Sequence, residues 1–226
     1  RIALDLPPEP VNVVKEDPAN ENILYIGTDQ GLYISLDRGA NSMMLGELPP
    51  VAVHDLAIHP RDHEIVVATH GRSFYKADVQ HVQKMQETMP EALTCFDEIV
   101  RFNASSRWGT RNAVWADFNE PTVTYPVYSA TEGEASLQVF RDSLMVHEEK
   151  VKLHKGLGYY DYHLEMDSTV AKPLTELIKQ QDPKSEVTIE KRENEKYYLP
   201  EGKYKAIVIL NGQSASWKLE SRKRGG

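Results

Sequence analysis

Val13-Val14-Lys15-Glu16-Asp17-Pro18, then Ile23-Leu24-Tyr25-Ile26-Gly27-Thr28, then Gly31-Leu32-Tyr33-Ile34-Ser35-Leu36-Asp37 is one pass of a pattern that returns further along the chain. The second pass runs Leu56-Ala57-Ile58-His59-Pro60, then Glu64-Ile65-Val66-Val67-Ala68-Thr69, then Gly71-Arg72-Ser73-Phe74-Tyr75-Lys76-Ala77-Asp78. Pro18 and Pro60 stand 42 positions apart, and Thr28 and Thr69 stand 41 apart. A period of roughly 40–45 residues, with three or four short strands per unit, is the sequence signature of a β-propeller blade. A propeller closes with at least about four blades. Two are visible, so residues 1–80 are expected to be the last blades of an incomplete propeller. The remaining blades would come from the upstream part of the same protein or from another chain.

The segments of each pass are rich in β-branched and aromatic residues, which favour strands. Asp17-Pro18-Ala19-Asn20 and Asp29-Gln30-Gly31 are turn signals between them. Ser42-Met43-Met44-Leu45 would add an outer strand to the first blade, and Gly46-Glu47-Leu48-Pro49-Pro50 would break pairing. The second blade supplies only three strands. From residue 78 the pattern changes. Val79, Val82, Met85 and Met89 recur at helical spacing behind Asp78, a candidate N-cap, and Pro90 ends the run. Residues 81–118 are therefore read as a connector helix and linker.

Residues 119–226 carry a second β pattern. Strands are expected over 122–129, 135–141, 159–165, 203–210 and 214–220, with Asn211-Gly212 as a two-residue hairpin turn. Short strands punctuated by turns suggest an antiparallel β-sandwich of immunoglobulin-like size. Residues 167–199 interrupt it. Pro173 suits a first helical turn, Leu174, Leu177 and Ile178 give an apolar face, and a very polar stretch follows. The fold class is thus mainly β: two terminal propeller blades, a connector helix, and a sandwich with a helical and charged insertion.

Composition excludes several functions. The net charge of -8 argues against nucleic acid as the main partner, and the acidic excess is concentrated in residues 1–80. The basic run Arg222-Lys223-Arg224 reads as a solvated tail. No apolar stretch approaches the roughly 20 residues of a membrane span. The opening Arg1-Ile2-Ala3-Leu4-Asp5 does not read as a signal peptide. Cys95 is the only cysteine, so there is no intrachain disulfide and no cysteine-based zinc site.

Ser35-Leu36-Asp37-Arg38-Gly39-Ala40-Asn41-Ser42 resembles the Asp-box hairpin of sialidase-like and sortilin-like propellers, with Asn41 and Ser42 in place of its Thr and Trp. The resemblance implies a fold device in which Ser35, Asp37 and Gly39 build the turn. Residues 50–61, from Pro50 through His54-Asp55 to Pro60-Arg61, together with Ala68-Thr69-His70-Gly71-Arg72-Ser73, resemble the terminal blade of large bacterial BNR-repeat "glycosyl hydrolase" propellers. Leu199-Pro200-Glu201-Gly202-Lys203-Tyr204-Lys205-Ala206 is similar to a strand of the immunoglobulin-like domain that trails them, which is like that of the flagellar hook-capping protein. The resemblance implies an extracytoplasmic location and, for a catalytic relative, carboxylates on other blades.

Candidate chemistry is sparse. His54, His59, His63 and His70 cluster in sequence, but His54 and His59 fall on opposite faces of a strand. They are read as structural, with His54 and Asp55 as a pair fixing the start of the blade. Glycoside hydrolysis needs two carboxylates across a cleft; Asp29, Asp37, Asp55 and Asp62 offer no recognisable pairing. Trp108, Trp115, Tyr160 and Tyr162 are candidate recognition aromatics, with core packing as the alternative. No nucleophile signature or phosphate-cradling loop is present. No catalytic residue, metal ligand or cofactor is expected. Two functions follow: a non-catalytic scaffold or interaction module with a protein or glycan partner, or part of a glycoside hydrolase whose acids lie on upstream blades.

Overall fold

Seven strands precede the first helix in the computed structural model, which describes residues 5–46, 48–87, 92–96 and 98–221. Met89, Pro90 and Arg222-Lys223-Arg224 lie outside the described residues. Strands β1 (Val11–Glu16), β2 (Leu24–Thr28), β3 (Leu32–Ser35) and β4 (Met43–Met44) form an antiparallel sheet in chain order. Strands β5 (Val53–His59), β6 (Glu64–Thr69) and β7 (Phe74–Asp78) form a three-stranded antiparallel sheet. Helix α1 (Gln80–Glu87) follows, then β8 (Thr94–Cys95), β9 (Ile99–Phe102), β10 (Val123–Ser129), β11 (Gly133–Arg141), β12 (Leu144–Leu153), β13 (Gly156–Tyr162) and β14 (Glu165–Met166). A 3-10 turn (Ser168–Val170), α2 (Ala171–Gln181), β15 (Tyr197–Tyr198), β16 (Lys203–Leu210) and β17 (Gln213–Ser221) complete the chain. Strand accounts for 46% and helix for 10%, so the protein is mainly β, built from several sheets with no closed barrel among the described residues.

Contacts divide the chain into two units. The first holds Arg1–Ala92, Pro126–Glu132 and His154–Tyr159; the second holds Leu93–Tyr125, Gly133–Leu153 and Tyr160–Gly226.

In the first unit, register fixes which side chains share a face. Gly27 pairs with Val13, and Tyr25 with Ile34, on one face of the β1–β4 sheet. Strand β5 packs on this side: a Cβ at Gly27 would come within 2.6 Å of the Val13 and Val53 side chains, so only glycine permits the approach. The opposite face carries Ile26 and Tyr33, which pack with Leu6 and Leu24. Val14, opposite Ile26, and Met44, opposite Tyr33, share it and are 41% and 42% exposed. In the β5–β7 sheet, Val53, Leu56, Ile65 and Val67 are buried. Its other face presents Ala57, Val66, Ala68 and Phe74 in adjacent register positions, with Phe74 73% exposed, beside Asp55, His59, Glu64, Lys76 and Asp78. Single apolar side chains are therefore exposed on both outer faces of this two-sheet stack, at the outer strands of one and among charged groups on the other.

Helix α1 begins where Asp78 accepts the Gln80 N–H at 2.7 Å, the capping the sequence predicts. Val79, Val82 and Met85 are fully buried. Gln83 on the same helix reaches back to both oxygens of Asp17.

In the second unit, β12-β11-β16-β17-β9 form one sheet, antiparallel except for the parallel pair β17–β9. Strand β16 alternates along its whole length: Tyr204, Ala206, Val208 and Leu210 are buried, while Lys203 and Lys205 face water. Asn211 and Gly212 both adopt positive φ, 50° and 82°, as a two-residue hairpin turn requires. Trp217 of β17 stacks on Tyr125 of β10 with ring centroids 4.4 Å apart, joining two sheets through one aromatic pair. Strand β12 escapes the sequence pattern because His147-Glu148-Glu149-Lys150 lacks strand-favouring residues. It is held as an edge by cross-strand partners: Lys150 with Glu134 at 2.6 Å, and Glu148 accepting from Ser136 and Gln138 at 2.8 Å each. The insertion forms α2 with Leu174 and Ile178 buried, and residues 182–196 hold no helix or strand. Its base closes where Tyr197–Tyr198 pairs with Glu165–Met166.

Candidate functional site

The Ser35–Asn41 turn is built by short side chains. Ser35 Oγ donates to Asp37 Oδ1 at 2.8 Å and accepts the Gly39 N–H at 2.7 Å. Asp37 also accepts from the Asn41 backbone N–H and the Asn41 side-chain amide, at 2.9 and 2.7 Å. Arg38 and Gly39 take positive φ, 58° and 86°. Burial works against the Asp37 charge, but donors from Asn41, Ser35 and Ala40 together outweigh it and hold the carboxyl below its ordinary value. Every polar group of Asp37 is thus spent on the turn.

The histidines do not converge. His54 meets His70 edge-on with ring centroids 5.3 Å apart. Asp55 instead accepts the Leu56 N–H at 2.8 Å and lies 3.9 Å from Lys15, so His54 and Asp55 have separate partners. His59 accepts the Asp62 N–H at 3.2 Å. Among the described residues no group of three or more His, Cys, Asp or Glu is placed to hold a metal ion. Of the other carboxylates, Asp29 accepts from Asn12 at 2.9 Å, and Asp62 is held low by its Arg61 neighbour.

The four aromatics separate by burial. Tyr160 and Tyr162 are 6% and 1% exposed; Tyr160 lies near Tyr125, and the Tyr162 hydroxyl donates to the Glu165 carbonyl. They are core residues, because alternation on β13 turns both inward. Trp108 is also buried, between Phe102 and Tyr198. Trp115 alone of the four is open to a ligand, 90% exposed beside Val114.

Three features lie outside the sequence-derived candidates. Asp17 is buried and accepts from the Ala19 and Asn20 N–H groups, Gln83, and the Tyr25 hydroxyl at 2.8 Å. Burial, reinforced by Asp17, pushes the Tyr25 hydroxyl far above its ordinary value. The Asp17-Pro18 turn was the only signal in the sequence. His147 is a second buried polar residue, with Nδ1 3.2 Å from Asp167 and Nε2 3.7 Å from Glu149. Burial lowers its proton affinity, and the Glu149 and Asp167 carboxylates more than offset that, leaving its pKa raised. The third is a groove of about 340 Å³ in the second unit, between the 104–108 loop, residues 187–192 and residues 198–201.

No protein-family model matches the chain, and no curated protein does. Among solved structures, the chain has similarity to the extracellular domain of a putative one component system from B. thetaiotaomicron, at 9% identity and a TM-score of 0.25 over 94% of this chain and 25% of that one. It also has similarity to the extracellular domain of a putative hybrid two component system from B. thetaiotaomicron, at 8% identity and a TM-score of 0.27 over 97% of this chain and 26% of that one. The chain spans about a quarter of the length of these structures.

Proposed function

We propose that the chain is a non-catalytic scaffold and interaction module, the C-terminal part of an extracytoplasmic sortilin-like β-propeller protein. In this reading β1–β7 are its last two blades, and the second unit is its trailing immunoglobulin-like sandwich. One observation carries the proposal: apolar side chains stand exposed on both outer faces of the two-sheet stack, Val14 and Met44 on one and Val66 and Phe74 on the other. An exposed apolar side chain on a sheet face is one that a neighbouring element can cover. The spent polar groups of the Ser35–Asn41 turn fit a fold device. The partners in this reading are the remaining blades, with a protein or glycan ligand at the loops.

The test compares Phe74→Ser in two settings. In the 226-residue chain the substitution should change unfolding free energy by no more than about 0.5 kcal/mol, as for an exposed position. In the longer native polypeptide it should cost about 3 kcal/mol, because a neighbouring blade would bury the ring. Equal, small effects in both would overturn the reading.

A further inference from the structure

Thr188-Ile189-Glu190-Lys191 makes no backbone hydrogen bond to the rest of the protein among the described residues. Its surroundings are strand-like all the same. Exposure alternates from Glu186 to Glu190, with Val187 and Ile189 half-buried and Glu186, Thr188 and Glu190 exposed. Val187-Thr188-Ile189 is a β-branched run, the composition that favours a pleated, half-buried strand. A segment with the period and composition of a strand but no ladder offers a row of unsatisfied donors and acceptors to another chain.

That segment forms one wall of the groove described above. The opposite side is Trp108, Leu199 and Pro200. The loop bearing Trp108 is pressed against the insertion at Gly109. Asn194 N–H donates to the Gly109 carbonyl at 3.2 Å, and a Cβ at Gly109 would lie 2.5 Å from Arg192. The groove floor is therefore fixed by packing. Its lining carries Glu190 and Glu201 against Arg192, and Glu186 stands on the same segment. Glu186, Glu190 and Glu201 have no ion-pair partner among the described residues.

We propose that residues 188–191 accept an extended, basic peptide strand of a partner protein by strand addition. The free backbone would supply the ladder, the Trp108–Leu199–Pro200 side would take alternate apolar side chains, and the unpaired glutamates would select lysine or arginine between them. A glycan fits less well. Trp108 is buried rather than presented as a flat platform, and a sugar cannot pair with successive amides in register. The inference is independent of the propeller reading, since every residue it uses lies in the second unit.

The test uses the full chain and an acetylated, amidated peptide, Lys-Val-Lys-Val-Lys-Val-Lys. Binding is followed by fluorescence anisotropy and by amide hydrogen exchange. The peptide should bind and slow exchange at Thr188–Lys191. Affinity should fall at least about tenfold when alternate peptide nitrogens are methylated, and by about as much with Glu190→Lys/Glu201→Lys, both surface changes. The glutamate counterpart, Glu-Val-Glu-Val-Glu-Val-Glu, should bind the wild type more weakly than the doubly substituted protein. Absence of binding, insensitivity to N-methylation, or protection confined to other strands would overturn the proposal. So would protection of these amides by an oligosaccharide alone, or by self-association without peptide.

Discussion

The β2–β3 pair of the first unit and the β16–β17 hairpin of the second are both antiparallel, yet they are buried in opposite ways. From Tyr25 to Thr28 and from Leu32 to Ser35 every residue is buried, so those strands are covered on both faces. In β16 burial alternates, and lysines mark the wet side. A strand that alternates finishes its core with one layer. A strand buried on both sides belongs to a stack, and each added layer has an outer face of its own to cover. In the second unit the Tyr125–Trp217 pair joins two sheets from the chain's own residues. In the first, the stack ends in Val14, Met44, Val66 and Phe74, all exposed. The difference separates a unit whose two sheets meet through an enclosed aromatic pair from one that leaves apolar side chains exposed on its outer faces.

Substitutions sharpen that contrast. Trp217→Ala should cost the second unit about 3–5 kcal/mol, since it removes a fully enclosed indole from the place where two sheets meet. Urea unfolding monitored by near-ultraviolet circular dichroism would show it, and a loss below about 1 kcal/mol would mean that the aromatic stack is not the centre of that core. Asp17→Ala should destabilise the first unit by roughly 3 kcal/mol, because the buried Tyr25 hydroxyl and two turn amides lose their acceptor together. Hydrogen exchange in β2 reads this locally; unchanged protection there would break the assignment of Asp17 as the internal tie of the stack.

The smallest effect depends on pH. His147 has a raised folded pKa, so its contribution to stability is full below the ordinary imidazole value and is lost as pH rises through the folded value. Glu149 and Asp167 face the ring, with Tyr162 packed beside it. Melting temperatures of the wild type should therefore decline from about pH 6 to 8 relative to His147→Gln. Parallel curves for the two proteins would show that His147 does not tie Asp167, and with it the start of the insertion, to β12.

Much of the fold was legible because strand-forming residues are dense in both β regions, and because Asp78, Asn211 and Gly212 act through local geometry alone. Strand β12 was not: its glutamates and lysines are supported by residues of β11, ten or more positions away in sequence. The candidate aromatics show the same limit. Period-2 spacing put Tyr160 and Tyr162 on one face but could not say that the face is inward. Trp108 and Trp115 lie in a loop with no period to read, and only tertiary packing buries one and exposes the other. The His147 cluster and the groove are assembled from segments far apart in sequence, so no motif announces them.

Carbene footprinting tests the central claim most directly. Labelling at Val14, Met44, Val66 and Phe74 is compared between the 226-residue chain and the protein in its native source. The account predicts that all four are labelled readily in the chain and that at least one pair, Val14 with Met44 or Val66 with Phe74, is strongly protected in the native protein. Equal labelling of all four in both samples would contradict it.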